Sequence, residues 1–212
     1  MNPIVDINAD AGESFGRWIL GNDAELLPLV NTVNIACGFH AGDPGNMRAS
    51  VLLCKRHSLN AGAHPGYPDL LGFGRRAMQF SDQDVIDYIV YQVGALWGIA
   101  MAEDVRLTHV KPHGALYGYL ARNPELACRL VEQLLRLDPQ LAFLISPGPS
   151  GLTLRQEGFP VIFDAPSDLD YNDDGSQRIE PIPQAKDPDE VGRRAVELAH
   201  GSVTTISGKT ID

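Results

Sequence analysis

Apolar residues recur along this chain in two rhythms. Short runs rich in β-branched and aliphatic residues lie at Ile4 to Asn8, Thr32 to Cys37, Leu59 to Ala63, Leu107 to Val110, Leu141 to Ile145, Pro160 to Phe163 and Val203 to Ile206. Each has the length and composition of a strand. Between them, apolar positions return every three or four residues. The clearest stripe is Val85, Ile89, Val93, Leu96 and Ala100, opened by Ser81 and Asp84 in the pattern of a capping box. Asp43-Pro44, Asn123-Pro124 and Asp187-Pro188 each place a capping residue before a proline. That grammar predicts helices running towards His57, over Glu125 to Leu137 and over Asp189 to His200. Strand and helix alternate, so an α/β domain on a parallel sheet is expected. Seven strands in 212 residues fit a small, incomplete barrel or a doubly wound open sheet.

No linker, low-complexity tract or repeat divides the sequence, so residues 1–212 read as one domain. Asp164 to Lys186 stands apart, rich in Pro and Asp around the turn Asp174-Gly175. A loop of that length is either solvated or closes over a site. With 27 acidic against 17 basic residues the net charge is -10, which argues against an extended nucleic-acid surface. No run approaches the ~18 apolar residues of a membrane span, and the start lacks the pattern of a signal peptide. A soluble, cytoplasmic protein is expected. Cys37, Cys54 and Cys128 are odd in number and widely spaced, which fits reduced thiols. Gly201 to Thr210 resembles a phosphate loop, but six residues separate its glycines where four are needed, so nucleotide binding is not expected there.

Candidate chemistry gathers around the histidines. His40, His64, His109 and His113 fall at or just after predicted strand ends, where α/β folds build their sites. Asp6, Asn8 and Asp10 alternate with Ile7 and Ala9, which puts the polar side chains on one face, with Glu13 just beyond. His109, Lys111 and His113 alternate likewise, and Pro112 holds that segment extended. A lysine among apolar walls and other cations is expected to have a depressed pKa, as an acid, a base or an anion clamp. His40 and Asp43 sit in one glycine-punctuated turn, and His64, Tyr67 and Asp69 in another. His40 and His64 with Asp10 or Asp43 offer an N2O set for a divalent metal; the alternative for the same residues is hydrogen bonding and acid–base work. Gly72 to Arg76 reads as an anion site of backbone N–H groups and two guanidiniums, or as a solvated basic turn. His57 and His200 read as surface or packing residues.

Five strings together carry a resemblance. They are Asp6 to Asp10 with Gly12 to Gly16, Ala36 to Pro44, Gly62 to Asp69, Gly72 to Arg76, and His109 to Tyr117. In this order they resemble the LamB/YcsF family, which includes the A-type subunit of bacterial 5-oxoprolinase. The resemblance implies a seven-stranded, distorted (β/α) barrel, TIM-barrel-like and related to polysaccharide deacetylases. It also implies ATP-coupled opening of a small cyclic amide, 5-oxoproline, to glutamate; the alternatives for the same residues are a metal-dependent hydrolase or deacetylase of a small amide or carbohydrate, and a non-catalytic ligand-binding subunit. ATP would be handled with B- and C-type partner subunits, while nucleic acid and membrane are not expected partners and a homo-oligomer remains open. On this reading Asp10, Lys111 and His113 are catalytic, and Asn8, Glu13, His40, His64, Arg75 and His109 bind substrate. Any divalent metal falls to Asp10, His40 and His64. The chain departs from the family pattern at Leu169, where an Arg is usual, and at Ser207-Gly208-Lys209, where a closing H-G-D is usual.

Overall fold

The computed structural model describes residues 5–178 and 185–211. Six strands, β1 (Asn8–Ala11), β2 (Thr32–Ala36), β3 (Asn60–His64), β4 (Leu107–Val110), β5 (Ala142–Ile145) and β6 (Val161–Phe163), form one parallel sheet in sequential order. That order has no reversal, and a doubly wound sheet needs one. The sheet curls on itself: Asn8 of β1 donates its amide to Asp164 Oδ1, just after β6, at 3.1 Å. The result is a half-barrel with its first and last strands brought near each other.

Seven strands were expected, and the parallel sheet has six. Val203–Thr204 (β9) instead pairs antiparallel with Thr210–Ile211 (β10). Gly208 and Lys209 therefore lie in a turn between strands, with no helix N-terminus behind them. The first strand also begins later than its apolar residues indicate. Its pairing with β2 opens at Asn8↔Thr32; the Ile7 carbonyl accepts from the backbone of Asn31 and Thr32, while the Ile7 side chain stays 56% exposed. Ile4 lies outside the described residues. Asp6 accepts the Thr32 hydroxyl at 3.0 Å, below the interior polar row.

The helices are α1 (Asp23–Leu26), α2 (Pro44–His57), α3 (Asp82–Ala102), α4 (Gly114–Ala121), α5 (Pro124–Leu137), α6 (Pro149–Gln156) and α7 (Pro188–Ala199). The capping box at Ser81 and Asp84 is formed. Asp43 caps α2, accepting from the backbone of Gly45 and Asn46, and also from Gly16. α3 is long and apolar enough to cross a membrane by length and composition, although polar residues interrupt its apolar positions. Here Val85, Ile89, Val93, Leu96 and Ala100 are buried in the common core. The short helices α4 and α6 escaped sequence reading because eight residues carry too little periodicity.

The segment after β6 is not a featureless loop. Asp170–Tyr171 (β7) and Gln177–Arg178 (β8) make a small antiparallel pair. Arg194 of α7 donates to the carbonyl of Leu169 at 2.5 Å. The expected loop also spans residues 179–184, which lie outside the described residues.

Candidate active site

One row of paired residues organises the interior of the half-barrel. Asp10 is opposite Asn34, Asn34 opposite Gly62, and Gly62 opposite His109. Gly62 has no side chain to occupy its place in the row, and a Cβ there would stand 2.2 Å from the His109 ring. The ring therefore crosses over β3, and His109 Nε2 donates to Asn34 Oδ1 at 2.8 Å. The Asn34 amide in turn donates to Asn8 Oδ1 and Asp10 Oδ1, both at 2.8 Å. Burial, reinforced by Lys111, lowers the pKa of His109 to about 3, so the ring is neutral. Its Nδ1 lies 2.9 Å from the Thr108 hydroxyl, which also reaches the Ala61 carbonyl at 3.2 Å.

Lys111 reaches into the same row from the end of β4. Its ammonium donates to Asn8 Oδ1 at 3.0 Å and lies 3.4 Å from both Asp10 Oδ1 and Asp164 Oδ2. Burial opposes its charge, but Asp10 and Asp164 outweigh that and raise its pKa. The expected depression is thereby corrected: two carboxylates brought in from β1 and from beyond β6 reverse its sign. Lys111 is a permanent cation, unsuited to act as a base. Asp10 responds in kind. Burial would raise its carboxyl, yet His64 in its protonated form, together with Lys111, holds it well below the usual range.

Above this row stands a compact histidine cluster. His64 ends β3, His113 stands at the residue just before α4, and His40 lies in the turn between β2 and α2; all three are buried. His64 Nε2 is 3.2 Å from Asp10 Oδ2 and 3.0 Å from His113 Nδ1. The His40 ring stacks on His113 at 3.8 Å between centroids. Glycine again makes the room: a Cβ on Gly66 would be 2.5 Å from His40 Nδ1, and one on Gly74 would be 2.7 Å from His40 Cβ. Burial, with neighbouring His64, takes the pKa of His113 down to about 3; burial, with His113, takes that of His40 well below its ordinary range. Glu13 faces the cluster, its Oε1 3.7 Å from His40 Nε2. Burial and the nearby Asp10 charge push Glu13 up to about 7.

Asn8, Asp10, Glu13, His40, His64, Arg75, His109, Lys111 and His113 are thus one assembly. A cleft of about 110 Å³ opens onto it, lined by Asp10, His64, Arg75, Lys111, His113 and Tyr117 together with Asp164, Asp168, Leu169 and Gln177. The segment after β6 is therefore a wall of the cleft. Glu13, His40, His64 and His113 each offer a ligand atom within 4.8 Å of the others. Asp10 and Asp43 are outside that group, the first paired with Lys111 and the second committed to capping α2. Arg76 pairs with Asp69, so of the two arginines it is Arg75 that lines the cleft.

Three residues of the site were not singled out from the sequence. Asn34 had a signal, a polar residue between Val33 and Ile35 in an otherwise apolar strand. Asp164 follows a strand end, as the histidines do. Tyr117 lies on α4 and gave no signal of its own.

Comparison with known proteins accords with this architecture. The A-type subunit of a 5-oxoprolinase from Bacillus cereus (strain 03BB102) is 41% identical over 98% of this chain and 84% of that protein. Its counterpart from Pyrococcus abyssi is 42% identical over 98% of this chain and 83% of its own length. The crystal structure of a lactam utilization protein from Thermus thermophilus superposes with a TM-score of 0.86 at 41% identity, over 97% of this chain and 85% of that one. The LamB/YcsF family profile matches residues 5–212, and with the strand-end histidines and the interior row in place it leads to one conclusion: the chain belongs to the LamB/YcsF family.

Proposed function

We propose that this protein opens 5-oxoproline to glutamate as the A-type component of an ATP-using assembly with B- and C-type partners. The observation that carries the reading is the pairing of an ionised Asp10 with a permanently charged Lys111 at the mouth of a small cleft. Opening a lactam requires removal of a proton from water, stabilisation of the oxyanion formed at the carbonyl, and a proton for the departing nitrogen. Asp10 takes the water proton as the new C–O bond forms, and returns it to nitrogen as the C–N bond breaks. Lys111 faces the oxygen on which charge develops as the C–O bond forms. Arg75 offers a guanidinium to the substrate carboxylate, a task that Leu169, lining the same cleft, does not perform. ATP chemistry falls to the partners. The three cysteines are free, in keeping with a reducing, cytoplasmic setting.

The test is reconstitution. The purified chain, mixed with B- and C-type partners already shown to be active with a different A-type protein, is expected to release glutamate from 5-oxoproline only when ATP is present. No release under those conditions would refute the substrate assignment.

A further inference from the structure

We infer that Glu13, His40, His64 and His113 form a binding site for one divalent transition-metal ion. The argument starts from the outer edges of the rings. His64 Nδ1 lies 2.7 Å from the carbonyl oxygen of Lys111, and His113 Nε2 lies 2.8 Å from that of Phe73. A carbonyl can only accept, so both nitrogens carry hydrogen. The Phe73 carbonyl is set by a left-handed backbone at φ 53°, a conformation that is costly for a residue with a side chain. In their neutral forms, His64 Nε2 and His113 Nδ1 therefore present lone pairs. These two atoms face each other at 3.0 Å, with Asp10 Oδ2 3.2 Å from the first.

Converging lone pairs need a positive charge between them. A proton on His64 Nε2 would serve Asp10 and His113, but it would do nothing for His40. That ring is 0% exposed, and among the described residues neither of its nitrogens has a hydrogen-bond partner. Glu13 Oε1 is too far from it, at 3.7 Å, to make one. A single cation serves all four side chains, whose ligand atoms lie within 4.8 Å of one another.

The donor set names the chemical class. Three imidazoles and one carboxylate suit Zn²⁺, Co²⁺ or Ni²⁺, whereas Mg²⁺ and Ca²⁺ favour all-oxygen sets. Backbone carbonyls behind His64 and His113 orient those rings as outer-shell partners of metal-binding histidines do. His40, held by no side-chain hydrogen bond among the described residues, is the ligand left to adjust. When bound, the ion would supply positive charge beside Asp10 and the cleft. This inference does not depend on the substrate, and it is tested without substrate or partner subunits.

Chelator-treated protein titrated with Zn²⁺ by calorimetry is expected to bind one equivalent, with Mg²⁺ unable to compete. Loading with Co²⁺ is expected to give visible bands of a nitrogen-rich site, and X-ray absorption of the zinc form to count three imidazoles. His113→Gln and Glu13→Gln are expected to weaken binding by at least about 10- to 100-fold, while Asp10→Asn keeps one equivalent. Circular dichroism of each variant establishes that it is folded, and the wild-type absorption spectrum gives the ligand count independently of any variant. Failure of the wild type to bind, a spectrum without three imidazoles, unchanged affinity in folded His113→Gln, or equal loss in Asp10→Asn would each overturn the assignment.

Discussion

At the scale of single residues, Lys111 does two jobs at once. It faces the cleft, and it neutralises Asp164, whose side chain is only 3% exposed. Lys111→Met keeps most of the aliphatic stem but leaves Asp164 buried without its partner, a change that typically costs about 3–5 kcal/mol. Loss of one electrostatic donor to an oxyanion separately lowers turnover by about 100-fold or more. The two effects separate in a double variant. Lys111→Met with Asp164→Asn is expected to recover much of the melting temperature lost in Lys111→Met while turnover in the reconstituted assay stays low. Recovery of both together would remove Lys111 from the chemistry. No recovery of stability would show that Asp164 was not the group left stranded.

Among the elements, packing is uneven. α3 begins with a complete capping box and buries Val85, Ile86, Ile89, Val93, Leu96 and Ala100. Each large aliphatic side chain of that set contributes about 1.5–3 kcal/mol. α7 also has a cap, at Asp187, yet it buries none of its residues fully. Local opening follows burial, so amide hydrogens of α7 are expected to exchange through low-energy local unfolding and those of α3 only near global unfolding. Exchange followed by mass spectrometry measures this directly; equal protection of the two helices would count against it. β2 lies at the other extreme, with all five residues buried. Its polar Asn34 is tolerated because His109, Asn8 and Asp10 satisfy its amide on every side.

For the whole molecule, curling the sheet places a titratable group in a dry interior, and stability follows pH accordingly. His109 titrates near 6.5 when unfolded and at about 3 in the fold. Between those values the unfolded chain binds the extra proton, so stability rises with pH across that window and is fully present above about 6.5. The slope from this one group is at most about 1.4 kcal/mol per pH unit. His109→Gln removes the titration, and its urea-unfolding free energy is expected to fall less steeply than that of wild type from pH 6 to pH 4. Parallel slopes would exclude His109 as the source. Asp10 acts in a separate window: its carboxyl is depressed, so its contribution is lost only as pH falls below the ordinary carboxylate range.

Local physics was legible in the sequence. The caps at Asp43, Ser81 and Asp187, the period of α3, five of the six sheet strands and the strand-end histidines all follow from neighbours close in the chain, and the collinear motifs pointed to the family; Asn123 precedes α5 as expected but makes no side-chain cap bond, its amide turning back to the Tyr119 carbonyl. What could not be read there depends on closure of the sheet. Only closure brings Asp164 to Lys111, and the carboxylates on either side of that lysine set the direction of its pKa shift. Only the pairing of Asn34, Gly62 and His109 shows why a glycine is needed in β3. Likewise, the tautomers of His64 and His113 are set by the carbonyls of Lys111 and Phe73, and which carbonyl a ring nitrogen meets is decided by tertiary contact rather than by spacing. Periodicity reports which face a residue occupies; charge state and ligation depend on what stands opposite it.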